Sequence, residues 1–206
     1  MLGLCLSWGF NQIAAKVALA DIPPLTQAAL RSLGGALILG ALALWREKDL
    51  FRADGTLFGG VLAGLLFAAE FFALYLGLQW TQASHAVLFL YSAPFFVALG
   101  LLIVAPNERL GRLQWIGMAL AFVGVAMALG VSGATSRDIL IGDLLCLAAG
   151  ALWAGTTIVV KATPLRSAPP IKTLLYQVAI SAAALGLGAI VWGEKWPTHI
   201  STLSAW

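Results

Sequence analysis

Seven apolar stretches, each long enough to cross a bilayer, constrain the fold more than any other feature of this chain. A transmembrane helix needs about 20 mostly apolar residues. Seven segments of that kind follow one another: Met1–Ala20, Leu25–Trp45, Leu57–Gln79, Ala83–Ala105, Leu113–Val131, Leu140–Val160 and Thr173–Gly193. Only 10% of the 206 residues are charged, and the short connections leave no room for a soluble domain. We therefore predict an all-α integral membrane protein, folded as a multi-span helical bundle.

The positively charged residues lie mainly in alternate connections between these spans. One set of connections holds Arg46, Lys48, Arg52, Arg109, Arg112, Lys161, Arg166 and Lys172, whereas the other holds Arg137 and Lys195. Because cytoplasmic loops carry an excess of Lys and Arg, this pattern predicts a cytoplasmic N-terminus in a plasma membrane, the inner membrane in a bacterium. The positive residues are scattered rather than clustered on one face, so we expect a lipid bilayer and no nucleic acid as partner.

Two distant parts of the chain repeat the same sparse pattern. Trp8, Lys16, Pro23 and Pro24 recur as Trp153, Lys161, Pro169 and Pro170. The offset of about 145 residues is too long for a stacked repeat and indicates a duplicated domain. Five spans separate the two starts, and because five is odd the copies enter the membrane from opposite sides. We expect residues 1–131 to form a five-helix repeat and residues 140–206 to begin an inverted second repeat.

Inverted repeats of membrane helices are typical of secondary transporters. Such carriers bind substrate near the bilayer midplane, where the copies meet, and expose it alternately to the two sides by rocking one copy against the other. On this basis we predict a transporter of a small molecule. With two copies of equal length, the complete protein would have ten helices in about 290 residues, of which about seven helices are present here.

The repeated positions also belong to a wider pattern that resembles a known family. The pattern comprises Trp8, Gly9, Lys16, Pro24, Arg31, the run Ser92-Ala93-Pro94, the run Glu108-Arg109-Leu110, Gly117 and Gly124, and then Gly142, Asp143, Trp153 and Lys161. Together these residues resemble the EamA-type half of the drug/metabolite transporter superfamily. The resemblance implies ten helices with both termini in the cytoplasm and a secondary carrier, often an exporter, of small metabolites such as amino acids. Gln177 departs from the pattern, since the first repeat has Arg31 at the corresponding position.

Glu70 is the sharpest candidate for a functional residue. It lies near the middle of the third span, where a carboxylate costs at least about 2.5 kcal/mol unless it is paired, hydrated or protonated. One interpretation is that Glu70 binds an amine or cationic group of the substrate, or carries a coupling proton. The other is a structural ion pair with Arg31, which lies at a similar depth and could alternatively form an anion site. The sequence leaves both interpretations open.

Several uncharged polar and aromatic residues fall at positions that suit the lining of a central cavity. Asn11, Tyr91, Ser92 and Thr156 lie near the midplane of their spans, where they either contact a ligand or form hydrogen bonds between helices. Trp8 and Trp153 occupy corresponding positions of the inverted copies, which suits two walls of one site. An anchoring role at the membrane interface is the alternative for these two indoles.

Three further residue types indicate how the helices bend and pack. Pro94 removes a backbone hydrogen bond in the middle of the fourth span, so it acts either as a hinge beside a cavity or as a passive kink. His85 lies near the outer end of the same span, where a solvated or capping histidine is favoured over a proton relay. Close helix packing is predicted at the glycine pairs Gly60 and Gly64, Gly117 and Gly124, and Gly150 and Gly155.

The sequence contains no motif typical of an enzyme. It shows no phosphate-binding loop, zinc-ligand spacing, nucleophile elbow or paired catalytic carboxylates, and Cys5 and Cys146 lie in apolar segments as small hydrophobic residues. We therefore expect no enzymatic activity, no cofactor and no metal. The substrate could be an amino acid or an organic cation, and the protein a monomer or a homodimer. A non-transporting helical subunit that scaffolds a partner or a lipid-handling complex is the alternative function.

Overall fold

The computed structural model describes residues 10–11, 13–46, 54–105, 110–128 and 136–194. These residues form eight α-helices and one short 3-10 helix, Pro164–Ser167. The helices are α1 (residues 10–11 and 13–18), α2 (Pro24–Arg46), α3 (Leu57–Trp80), α4 (Ala83–Leu90), α5 (Ala93–Val104), α6 (Arg112–Ala128), α7 (Arg137–Ala162) and α8 (Pro170–Val191). No strand occurs in this part of the chain. The prediction of an all-α helical bundle is thus confirmed.

Five helical segments are long and apolar enough to cross a membrane, if α4 and α5 are counted as one. They are Pro24–Trp45, Leu57–Trp80, Ala83–Val104, Arg137–Ala162 and Pro170–Val191. Each coincides with a predicted span to within three residues at either end. The first predicted span lies partly outside the described residues, and so does the end of the fifth. The protein is therefore a multi-pass membrane protein.

Helix α3 forms the centre of the bundle, where it packs against α7 and α8. A Cβ atom placed on Gly60 would lie 2.6 Å from the Tyr176 ring, and one on Gly64 would lie 2.7 Å from the Cβ of Ile180. The contacts advance in the same direction on both helices, so α3 and α8 run parallel. Small residues let the two backbones approach closely, which is the main source of helix association in a bilayer.

The predicted packing glycines fall into two groups. Gly60, Gly64 and Gly150 face atoms closer than 3 Å from a built Cβ, whereas Gly155 makes an ordinary contact with Leu66 at 3.6 Å. Gly117 and Gly124 of α6 have no atom of the described residues within 4 Å of such a Cβ. Close packing is thus found at the predicted glycines of α3 and at Gly150 of α7, but not at Gly117 and Gly124 of α6 within the described structure.

Helices α2 and α8 run antiparallel along each other. Gly35 faces Val178 and Gly40 faces Leu175, so the contacts advance along α2 as they recede along α8. At the far end the carboxylate of Glu194 accepts hydrogen bonds from the backbone N–H of Leu25 at 3.0 Å and from that of Thr26 at 2.7 Å. These amides would otherwise lack partners at the start of α2, and the anion also faces the positive end of the helix dipole.

The fourth span is interrupted, because α4 ends at Leu90 and α5 begins at Ala93. Pro94 has no N–H to donate to the carbonyl four residues earlier, so one hydrogen bond of a continuous helix is missing there. The chain closes the gap with tighter bonds, from the N–H of Ser92 to the Phe89 carbonyl at 3.1 Å and from the N–H of Phe95 to the Ser92 carbonyl at 2.9 Å. The single span predicted from the sequence is therefore two helices with a break ahead of Pro94.

Candidate functional site

Glu70 is held inside the bundle by its position on the central helix α3. Its side chain is buried, with 4% of the residue exposed. The Oε2 atom is fully buried and accepts no hydrogen bond in the described structure. A buried carboxylate oxygen without a donor is costly, because it has lost its hydration without a replacement. Glu70 is thus positioned to accept a hydrogen bond from a group that the described residues do not supply.

Arg31 lies close to Glu70, but its guanidinium makes a different contact from the ion pair considered above. Its guanidinium carbon lies 4.2 Å from the centroid of the Phe71 ring, one residue after Glu70. No salt bridge within 4.0 Å joins Arg31 to Glu70 among the described side chains. A guanidinium is planar and weakly hydrated, so stacking on an aromatic face is favourable without a carboxylate partner. The structure therefore shows a cation–π contact where an ion pair was expected as one alternative.

Two cavities adjoin Trp153 on α7. The first, of about 350 Å³, lies between α3, α7 and α8. It is bordered by Phe67, Trp153, Thr156, Thr157, Val160, Lys161, Thr173 and Gln177, and we call it the Gln177 cavity. The second, of about 400 Å³, lies between α5, α6 and α7, where Pro94 and Leu101 face Trp153 and Thr157. Trp153 and Thr157 border both cavities, so the indole forms part of the wall between them.

Two of the midplane hydroxyl groups singled out from the sequence, those of Thr156 and Ser92, bond to their own helices. Thr156 donates to the Leu152 carbonyl at 3.2 Å, and Ser92 donates to the Phe89 carbonyl at 2.6 Å. Ser92 is also covered by α7, since a Cβ on Gly150 would lie 2.9 Å from its hydroxyl oxygen. Thr156 borders the Gln177 cavity, whereas Ser92 lies at the packed break between α4 and α5.

The remaining candidates are not brought into one place. Asn11 is half-buried and Tyr91 is exposed, with 39% of its surface accessible. Neither borders the two cavities beside Trp153. Trp8 lies outside the described residues, so the proposed pairing of the two indoles stays a prediction. Among the described candidates, the structure groups Trp153 with Thr156 in one cavity and with Pro94 in the other.

A buried polar cluster at the ends of α3, α4 and α7 was missed by the sequence analysis. The Nδ1 atom of His85 lies 3.0 Å from the Asp143 carboxylate, which also accepts a hydrogen bond from the Thr81 hydroxyl. His85 is 7% exposed, so the expectation of a solvated or capping histidine is wrong. Its partner Asp143 lies on another helix, α7. Matching polar residues by depth would have found this pair.

Lys16 reaches the same end of the bundle from α1. Its ammonium group donates to the backbone carbonyls of Leu78 and, at 2.7 Å, of Thr81. These carbonyls belong to the last turn of α3, where the ladder of intrahelical bonds leaves acceptors without donors. The cation also complements the negative end of the α3 dipole. Lys16 thus joins α1 to α3.

An ion pair holds the residues just before α3 at the opposite end of the bundle. The ammonium group of Lys172 lies 2.8 Å from the Asp54 carboxylate, which also accepts a hydrogen bond from the backbone N–H of Thr56. The hydrogen bond from Lys172 is the main reason that the pKa of Asp54 falls well below its ordinary value, and the bonds from Thr56 lower it further. Asp54 is therefore ionised throughout the neutral range.

The sequence is similar to that of known membrane transporters. Residues 1–130 match the EamA-like transporter family. The uncharacterized transporter YvbV of Bacillus subtilis is 35% identical over 165 residues, which cover 78% of this chain and 52% of the relative. A probable amino-acid metabolite efflux pump of Salmonella typhimurium is 34% identical over 148 residues, which cover 71% of this chain and 47% of the relative. The chain thus spans about half the length of the curated relatives it matches.

The fold is also similar to that of a protein of known crystal structure. The two chains superpose with a TM-score of 0.67 over 93% of this chain and 68% of the other, at 21% sequence identity. At that identity the similarity concerns the fold alone. The curated relatives are named transporters and an efflux pump, which agrees with the prediction that the chain is not an enzyme. Because the family match covers more than half of the 206 residues, this chain belongs to the EamA-like transporter family.

Proposed function

We propose that this chain forms part of the substrate pathway of a secondary transporter, which exports small metabolites by alternating access. The single observation that carries the proposal is Glu70, a buried carboxylate on the central helix whose Oε2 lacks a donor. Ionisable residues inside the membrane are rare and generally mark substrate or ion pathways. The printed name of the Salmonella relative, an amino-acid metabolite efflux pump, supports a similar cargo and direction here.

Glu70 then has the role of receiving a cation. Its carboxylate would accept hydrogen bonds from the ammonium group of the substrate, or would bind a coupling proton when the substrate leaves. Either event supplies the donor that Oε2 lacks in the described structure. Arg31, stacked on Phe71 at 4.2 Å, adds a positive charge that keeps a second cation from remaining in the site. Glu70 and Arg31 together would let a cationic group bind and then be released.

The helix arrangement supports alternating access. In inverted copies the corresponding helices α2 and α8 run in opposite directions. The contacts of Gly35 with Val178 and of Gly40 with Leu175 agree with an antiparallel arrangement. In the proposal, residues 1–131 are the first copy, residues 140–206 begin the second, and the two copies rock against each other around the cavities beside Trp153. The break before Pro94 is the proposed hinge. The N-terminus would be cytoplasmic, the membrane a plasma membrane, and the protein a monomer or homodimer.

A non-transporting scaffold subunit is the second candidate. The observation in its favour is the dense packing at the break in the fourth span, where Gly150 leaves no room for a Cβ beside Ser92. A rigid contact at that place would hinder rocking of the two copies. The missing donor at Glu70 counts against this candidate, because a structural carboxylate in a static bundle would be expected to have one.

Transport by the protein in proteoliposomes tests the proposal. Purified wild-type protein and a Glu70→Gln variant would be compared for counterflow of a panel of radiolabelled amino acids and organic cations, with protein-free liposomes as background. We expect the variant to lose at least about tenfold in rate, since Gln keeps the shape but not the charge. Gln79→Asn, an exposed change near the end of α3, is the matched control. Equal transport by Glu70→Gln and wild type would refute the role of Glu70.

A further inference from the structure

We infer that the Gln177 cavity is a binding subsite for the carboxylate group of the substrate, with Gln177 as the residue that determines this specificity. The inference rests on the proposed transport function and narrows its substrate class, because it favours carboxylated metabolites over simple organic cations. The cavity lies between α3, α7 and α8 and has a volume of about 350 Å³. Ligand pockets begin at about 300 Å³, so this cavity suits one molecule of about amino-acid size.

Gln177 supplies the observation that points to a ligand. The residue is only 9% exposed, and its side chain borders the cavity. None of the hydrogen bonds between described residues involves its amide group. One turn further along α8, the Ser181 hydroxyl donates to the Val178 carbonyl of its own helix. An amide carries two N–H donors, and the described residues offer those of Gln177 no acceptor. The Gln177 amide is thus free to donate to an occupant of the cavity.

The charge around the cavity determines which occupant fits. No Asp or Glu is among the described residues that border the cavity, so no carboxylate there would repel an anion. Thr173, which is 9% exposed, lies near the start of α8, where the helix dipole is positive. These groups favour an anion with acceptor oxygens and disfavour a cation. A carboxylate meets both the charge and the hydrogen-bonding requirement.

The remaining walls accommodate the rest of such a substrate. Phe67 and Trp153 give the cavity an apolar, aromatic side that suits a hydrophobic substituent. Glu70 follows Phe67 by three residues, a rise of about 4.5 Å along α3. A zwitterion could therefore place its carboxylate at Gln177 and direct its ammonium group towards Glu70. This geometry distinguishes an amino acid from an amine without a carboxylate.

Equilibrium binding to the purified protein tests the inference independently of transport. The probes are a panel of radiolabelled amino acids, the corresponding amino-acid amides, inorganic phosphate and tetraethylammonium. For wild-type protein we expect at least one amino acid to bind at least about tenfold more tightly than its amide, a difference of about 1.4 kcal/mol. Phosphate and tetraethylammonium should not compete. Equal affinity for acid and amide, or displacement by either competitor, would overturn the inference.

Two variants test whether Gln177 causes the preference for the acid over the amide. Gln177→Leu should weaken binding of the acid by about tenfold and leave binding of the amide unchanged, since it removes donors that a charged acceptor needs most. Thr173→Val should act in the same direction but less strongly. Ser181→Ala, a buried change on the same helix outside the cavity, is the matched control. An equal loss for acid and amide in Gln177→Leu would indicate a structural role and contradict the assignment.

The outcome separates this inference from the proposed function. Acid-selective binding without counterflow would leave the subsite standing and refute transport. Counterflow without discrimination between acid and amide would support transport and refute the subsite. Thermal unfolding of each variant in detergent shows whether it is folded, so loss of binding is compared only between proteins with similar midpoints.

Discussion

The crossing of α3 and α7 at Gly77 and Gly142 leads to a quantitative prediction about packing. A Cβ added to Gly142 would lie 2.8 Å from the Thr81 backbone nitrogen and 2.9 Å from the Gly77 carbonyl oxygen. A Cβ added to Gly77 would lie 2.9 Å from the Gly142 carbonyl oxygen and 2.7 Å from the Cys146 sulfur. Backbone atoms cannot rotate away as a side chain can. An alanine at either position must therefore push the two helices apart.

The expected free-energy change follows from two opposing terms. Overpacking a close contact costs about 1–3 kcal/mol, and the backbone obstruction at Gly142 places the cost at the upper end. Replacing Gly by Ala within a helix recovers about 1 kcal/mol of helix propensity. Gly142→Ala should therefore lower the free energy of unfolding by about 2 kcal/mol. Gly77→Ala acts on the same close approach of α3 and α7. The double variant should therefore lose less free energy of unfolding than the sum of the two single losses.

Unfolding of the purified protein by titration with a denaturing detergent, followed by circular dichroism, measures these changes. Gly124→Ala is the matched control, because no atom of the described structure lies within 4 Å of its built Cβ. The control should gain up to about 1 kcal/mol from propensity alone. Equal effects of Gly142→Ala and Gly124→Ala would refute the close approach of α3 and α7. Additive losses of unfolding free energy in the double variant would show that the two glycines do not share one contact.

Three further predictions concern the polar contacts at the helix ends. Asp143→Asn should lower the free energy of unfolding by about 1–3 kcal/mol, because the buried contact with His85 loses a charged acceptor; no change in detergent titration would contradict it. Glu194→Gln should speed hydrogen exchange of the first amides of α2, measured by mass spectrometry, since the charge that caps this end is lost. The lowered pKa of Asp54 means that its ion pair with Lys172 stabilises the fold above the ordinary carboxyl pKa. The difference in melting temperature between wild type and Asp54→Asn should thus stay constant from neutral pH down to about 5, begin to shrink below about 4, and disappear only as the pH falls through the lowered pKa of Asp54; a difference that is already lost at about pH 4 would contradict it.

The helical framework could be predicted from the sequence because it depends on local composition. The bounds of α3 and α8 follow from runs of apolar residues that match the thickness of a bilayer, and neighbouring helices have little influence on them. Proline chemistry likewise indicated a disturbance at Pro94. It did not give the break at Ser92, because the position of the break also depends on how closely α7 packs beside it through Gly150.

The contacts between helices could not be predicted in the same way. They depend on the rotation and depth of each helix, which a single sequence does not specify. Glu70 and Arg31 have matching depth and opposite charge, yet the guanidinium stacks on Phe71. His85 was expected to be solvated or to cap a helix, and Asp143 was noted only as part of the family pattern, yet the structure joins them at 3.0 Å. Gln177 was noted only as a departure from a pattern, and its position beside a cavity comes from the packing of α3, α7 and α8.

We propose that the Gln177 cavity belongs to a pathway that opens to one side of the membrane at a time. Thr156 borders this cavity, so a Thr156→Cys variant, with Cys5 and Cys146 replaced by alanine, can report on it. Oriented vesicles would be labelled from either side with a membrane-impermeant maleimide. We predict labelling from the cytoplasmic side that changes when a bound amino acid is present. Complete protection from both sides, with and without amino acid, would contradict the transport pathway and favour a scaffold.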